Sequence, residues 1–164
     1  MRQAGRICEF LVAPSRKRSG MENNMAELKK FHLEVISPER VFYTGDVEMV
    51  ELTTTEGDIG VYAEHIPLTS IVAPGVLTIT ESSDDNGLKE AAVLEGFLEI
   101  LPDKVTILAQ SCEWPEEIDM NRAIEARKRA ERRIKSTDTN INMARAELAL
   151  RKSLVRIHLA ESRK

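Results

Sequence analysis

The stretch "EEIDMNRAIEARKRAERRI", residues 116–134, holds the side chains best suited to binding chemistry in this 164-residue chain. Within "IDMNRA", Asp119 and Arg122 stand three apart, which on a helix puts them on one side, and Arg129 follows two turns further on. A guanidinium pairs bidentately with phosphate oxygens, and a carboxylate accepts from a ribose hydroxyl or an amino group. That is the chemistry of a reversible site for a nucleotide or an acidic partner. On spacing alone, an ordinary surface pair worth roughly a few tenths of a kcal/mol explains the same residues.

Other chemistries fit less well. A basic helix is the usual footprint of a nucleic-acid binder, but Glu125, Glu131 and Glu147 interrupt the charge, and no aromatic lies on either helical segment to stack on bases. There is no GK dipeptide, no GxGxxG and no Ser, His and acid set in recognisable context, so no catalytic residues are expected. Cys8 and Cys112 form no CxxC and have no histidine at metal-ligand spacing. Neither a metal centre nor a disulfide framework follows, and Cys112 reads as a small, partly buried hydrophobe in a reducing compartment.

The elements that must carry the site differ in charge. Residues 1–30, 31–115 and 116–164 have net charges of +4, −13 and +5, within a total of −4. The middle and C-terminal parts are therefore distinct modules that attract each other. From Phe31 to Gln110 short alternating segments such as Phe31, Leu33, Val35 and Val105, Ile107, Ala109 are separated by "SPER", "YTGD", "TEGDIG", "AEHIP", "APG", "SSDDNG" and "LPDK". Turns at roughly ten-residue intervals predict an antiparallel β-sandwich or barrel. "EGDIGVYAEHIPL" reads as a long Gly-containing loop that displays Asp58, Glu64, His65 and several apolar residues, a candidate contact surface. His65, with no second histidine nearby, reads first as a structural residue.

Pro115 with Glu116 and Glu117 predicts a helix start, and the helix runs without Gly or Pro to about Lys135. Ala123, Ala126, Ala130 and Ile134 give it a narrow face that a second helix can approach closely. "STDTN" supplies breakers and an N-cap, and a second helix follows with Ile141, Ala144, Leu148 and Val155 on one stripe. The two form an antiparallel hairpin, marginal without tertiary support at about 20 residues each. No apolar run approaches the ~20 residues that span a bilayer, so the chain is expected to be soluble or peripheral. Residues 1–27 are basic and lack periodicity. They are set apart as an extension, either disordered or upstream of a natural start at Met21 or Met25.

From about Leu28 onward the chain resembles the epsilon subunit of bacterial rotary ATP synthases. "VISPERVFYTGDVEMVELTTTEGDIGVYAEHIPLTSIVAPG" is similar to the opening of its sandwich, "GFLEILPDKVTILAQ" to its last strands, and "AERRI" with "RAELALRK" to its hairpin. The resemblance implies a ten-stranded sandwich over 28–112, bound to the gamma subunit and the membrane c-ring, and a regulatory two-helix domain over 113–164. In that family the hairpin lies folded on the sandwich or extends along gamma. Extended, its basic side chains meet acidic segments of the beta subunit, within the alpha and beta hexamer, and stop ATP hydrolysis. The resemblance also implies a non-catalytic subunit with no obligatory cofactor. It would sit at the cytoplasmic face of a bacterial plasma membrane, in a proton- or sodium-driven complex.

Some members bind regulatory ATP through an I/L-D-x-x-R-A motif, matched here by Ile118, Asp119, Arg122 and Ala123. Glu113, Arg129 and Arg156 occupy positions associated with that site, and Lys152 stands where some ATP binders have arginine. Lysine keeps the charge but loses the bidentate fork. Asp58 matches a position near the c-ring and His65 one near gamma. A free-standing sandwich and hairpin that senses nucleotide without a rotor is the other reading.

Overall fold

The computed structural model describes residues 29–82, 87–136 and 141–162. The expected extension over 1–27 lies outside the described residues, as do most of "SSDDNG" and "STDTN". Ten strands follow the alternating pattern: β1 (Phe31–Ile36), β2 (Val41–Val47), β3 (Met49–Thr54), β4 (Gly57–Tyr62), β5 (Leu68–Val72), β6 (Gly75–Thr80), β7 (Leu88–Val93), β8 (Gly96–Ile100), β9 (Lys104–Ala109) and β10 (Cys112–Glu113). Among the described residues two α-helices follow, α1 (Met120–Lys135) and α2 (Met143–Ser162).

The strands run in the order β10-β7-β6-β3-β5-β8-β9-β1-β2, with β4 on the far edge of β3. One edge of β3 bonds β6 through Met49, Val50 and Glu51 and then β5 through Thr54. This split divides the sheet into two five-stranded layers, β4-β3-β6-β7-β10 and β5-β8-β9-β1-β2. The expected sandwich of about ten strands is present. It is antiparallel throughout except where β1 meets β9 in parallel, a pairing open to strands far apart in sequence.

Alternation explains the core. Leu33 and Val35 on β1, Val50 and Leu52 on β3, Leu98 and Ile100 on β8, and Val105 and Ile107 on β9 are all buried between the layers. Each such side chain contributes on the order of 1.5–3 kcal/mol. Cys112 joins this core, as expected, and burial pushes its thiol up to about 12.

β7 departs from alternation. Ala91 and Val93 face the main core, whereas Ala92 and the following Leu94 face outward and are buried beneath α2 with Leu159. Val76, Ile118 and Val155 edge this second, smaller cluster. Ala123 and Ala130 on α1 and Ala146 and Ser153 on α2 are buried, so small residues line the seam that lets the two helices close.

Three local expectations change. "EGDIGVYAEHIPL" is not one long loop, because Gly57, at φ +133°, turns β3 into β4, and beyond the Thr55–Glu56 turn only residues 63–67 lie outside strands. Pro115–Glu117 is a single 3-10 turn, and α1 starts at Met120. Asp119 caps α1 by accepting the Arg122 N–H at 3.0 Å. On α2, capped by Asn142 through the Arg145 N–H, Ala144 is exposed, and the buried positions are Ala146, Ser153, Ile157 and Leu159. The helix packs against both α1 and the sandwich, so its apolar residues do not fall on one stripe.

Candidate functional site

A cleft of about 290 Å³ opens where the end of the sandwich meets the hairpin. Glu113 enters it from β10, Glu117 from the 3-10 turn and Asp119 from the cap of α1. Arg122, Ala126 and Arg129 line it at spacings of four and three along α1, with Ala123 beside them, and Arg156 comes from α2.

The carboxylates are already engaged. Glu113 receives Arg156 bidentately, from Nε at 2.8 Å and Nη2 at 2.5 Å. Both oxygens of Glu117 accept from Arg40 Nη2, at 2.5 and 2.7 Å, and Glu117 also accepts the Trp114 N–H at 2.9 Å. One oxygen of Asp119 is committed to the helix cap.

Two cations of α1 are paired on its own carboxylates. Glu131 takes Arg127 at 2.8 Å and Glu125 takes Lys128 at 3.3 Å along the outer face of α1. Arg122 and Arg129, which line the cleft, have no hydrogen-bonding or ion-pair side-chain partner among the described residues. The cleft thus offers two free guanidiniums beside a third, Arg156, that is shared with a carboxylate. This arrangement suits an extended polyanion with a polar end.

The geometry gathers Glu113, Asp119, Arg122, Ala123, Arg129 and Arg156, and leaves four sequence candidates elsewhere. Ile118 packs in the small apolar cluster under α2. Lys152 does not line the cleft. Its ammonium is bound by Glu95 Oε2 and donates to Gln110 Oε1 at 3.2 Å, because α2 presents that turn to the sandwich. Asp58 lies on β4, accepting from Thr53 Oγ1 at 2.8 Å, and His65 lies in the turn beyond the other end of that strand, its Nδ1 2.7 Å from the Ile66 carbonyl oxygen. Glu117 and Ala126 also line the cleft. Ala126 is legible from its spacing between Arg122 and Arg129, whereas nothing in the sequence sets the orientation of Glu117. Among the described residues no cluster of His, Cys, Asp and Glu side chains is arranged to hold a metal ion.

The junction between the modules is clamped. Trp114 stacks on Phe42 with ring centroids 4.4 Å apart, and the Arg40 guanidinium lies 5.3 Å from the Phe42 ring while gripping Glu117. Arg40, and then the Trp114 N–H, hold the Glu117 carboxyl below its ordinary value of 4.5.

Comparison with known proteins agrees with this architecture. The family described as ATP synthase, Delta/Epsilon chain, beta-sandwich domain matches residues 30–115, and the ATP synthase, Delta/Epsilon chain, long alpha-helix domain matches residues 116–161. The ATP synthase epsilon chain of Caldanaerobacter subterraneus subsp. tengcongensis is 46% identical over 133 residues, 80% of this chain and 94% of that one. That of Caldicellulosiruptor bescii is 42% identical over 137 residues, 84% and 98% of the two chains. A chain in the OSCP/F1/c-ring structure of the Euglena gracilis mitochondrial ATP synthase superposes with a TM-score of 0.66, covering 96% of this chain and 99% of that one. At 21% identity that likeness concerns the fold.

Trp114 is the only tryptophan in the chain and reports on the clamp. Because the folded Glu117 carboxyl lies below its ordinary value, the clamp is complete at neutral pH. It is lost only as pH falls below about 4.5 and through the lower folded value. Trp114 emission should shift to the red in that acid range, and Glu117→Gln should show the shifted spectrum already at pH 7.

Proposed function

The chain belongs to the ATP synthase delta/epsilon family, and from that premise we propose that it works as the epsilon-type rotor subunit of a proton- or sodium-translocating ATP synthase. In this role it links gamma to the c-ring and restrains ATP hydrolysis through a hairpin that responds to ATP. Its part is mechanical and regulatory, and chemistry stays with the alpha and beta subunits. Among the described residues no helix is long and apolar enough to cross a membrane. In the proposed role, attachment to the cytoplasmic face of the membrane runs through the rotor partners.

Support for rotor docking comes from the outer face of the β5-β8-β9-β1-β2 layer. Ile71 pairs with Phe97, Phe97 with Leu108, Leu108 with Ile36, and Ile36 with Val41, so an apolar row crosses all five strands. Phe97 is 60% exposed and Ile71 and Leu108 are more than half exposed, beside a groove of about 550 Å³. A contiguous apolar surface of this kind is a protein interface. We assign it to gamma. The separate end around His65, with exposed Tyr62, Ile66 and Leu68, and the hairpin bearing Asp58 provide further rotor contacts.

The observation that carries the regulatory reading is the pair of unpartnered guanidiniums, Arg122 and Arg129, in a cleft that exists only while the hairpin is folded on the sandwich. ATP fits their chemistry: its phosphates pair with Arg122, Arg129 and Arg156, and the free oxygen of Asp119 and the Glu113 and Glu117 carboxylates accept from its hydroxyls and amino group. The cleft volume is at the lower end for ligand pockets, so part of the nucleotide stays in water. If ATP binds only the folded form, a concentration about ten times the dissociation constant stabilises it by roughly 1.4 kcal/mol, a tenfold shift in population. When ATP falls, the same arginines are released toward acidic segments of beta, and hydrolysis stops.

Calorimetry of the full chain with millimolar ATP should give a binding heat that Arg122→Ala removes. Absence of heat in the unaltered chain would end the nucleotide role and leave the rotor role standing. In the purified complex, deletion of residues 116–164 should preserve assembly and raise ATPase activity, and unchanged activity would rule out inhibition. Phe97→Asp should abolish co-purification with gamma while leaving the thermal melt within a few degrees, as expected for an exposed position.

A further inference from the structure

We infer that Lys152 and Glu95 form a latch that holds the hairpin on the sandwich independently of the nucleotide cleft. What the latch regulates rests on the function proposed above; its existence does not.

α2 meets the sandwich over a small apolar area, Ala92 and Leu94 against Leu159 and Val155, with an ion pair on each of two successive turns. Arg156 with Glu113 is the pair inside the cleft, open to competition from a ligand. Lys152, four residues earlier, is turned out of the cleft to the corner where the chain crosses between layers. Glu95 precedes β8 and Gln110 follows β9, and the Gln110 N–H donates to the Glu95 carbonyl at 2.7 Å. The two acceptors are therefore fixed relative to each other before Lys152 arrives.

A compact ammonium with three donors suits acceptors on two different residues better than a planar guanidinium does. The lysine side chain is 23% exposed and the glutamate 35%, against 37% or more on both sides for the pairs Arg40–Glu117, Arg127–Glu131 and Lys128–Glu125. Removing one partner leaves the other charge partly desolvated, a larger loss than breaking a surface pair. The family position at which an arginine serves ATP in some relatives is thus used in this chain as a mechanical contact.

Amide hydrogen exchange of the full chain without nucleotide measures the latch directly. Lys152→Met and Glu95→Gln should each speed exchange in α2 by about 5- to 30-fold while the sandwich core stays unchanged. Exchanging the charges, with Glu95→Lys and Lys152→Glu together, should restore much of the protection, a recovery that a purely steric role for either residue does not give. Millimolar ATP should slow α2 exchange again in the single variants, since the cleft is intact. Wild-type exchange rates in both single variants would overturn the proposal. So would loss of the ATP binding heat in Lys152→Met with retention in Glu95→Gln, which returns Lys152 to the cleft. If the unaltered chain binds no ATP, the nucleotide reading fails, and the exchange rates without nucleotide still decide the latch.

Discussion

The burial of β7 on both faces is the constraint from which the rest of the molecule follows. Ala91 and Val93 complete the space between the layers, and Ala92 and Leu94 need a cover on the outside, which α2 provides with Leu159 and Val155. Small side chains at Ala91 and Ala92 let a helix and a second sheet approach the same strand. The cover is a modest one. Two residues on β7 cannot match the stabilisation of a sandwich interior that contains more than a dozen large side chains. The hairpin is therefore held on the sandwich by a small apolar contact with polar pairs at its edges.

Those contacts reflect the charge asymmetry of the chain. The sandwich is rich in acid and the helices in base, so long-range attraction brings them together without selecting a geometry. Geometry comes from a few short pairs: Arg156 on Glu113, Lys152 on Glu95, and Arg40 on Glu117 at the junction. The remaining positive charge on α1 divides between cations paired within their own helix, as Arg127 and Lys128 are, and those with no such partner, among them Arg122 and Arg129 in the cleft. A helix with every cation satisfied would be an inert cover; the proposed response to anions rests on Arg122 and Arg129.

Much of this is legible in the sequence where one period dominates. Leu33, Val35, Val105 and Ile107 alternate cleanly because each faces one core, and their strands are recognisable. Periodicity is less informative where an element has two partners. α2 touches both α1 and the sandwich, so its buried residues spread around the helix and a single stripe through Ala144 is the wrong one. Proline and acidic residues at 115–117 signal a helix start, but the Asp119 cap lies closer to the helical run and prevails. Spacing placed Asp119, Arg122 and Arg129 together, and Ala126 was available by the same logic. Resemblance alone assigns Lys152 to that group, and its position depends on which side of α2 faces the sandwich, a three-dimensional fact that one-dimensional spacing does not hold.

Gly96 separates Glu95 from Phe97, and no other residue fits there: a Cβ would stand 2.3 Å from the Leu108 carbonyl oxygen. The corner is therefore closed to a side chain at that position. Glu95, which binds Lys152, and Phe97, on the outer apolar row, stand on either side of it across about 7 Å of backbone. If that row docks the rotor, as proposed, the docking face and the contact to α2 share one short stretch of chain.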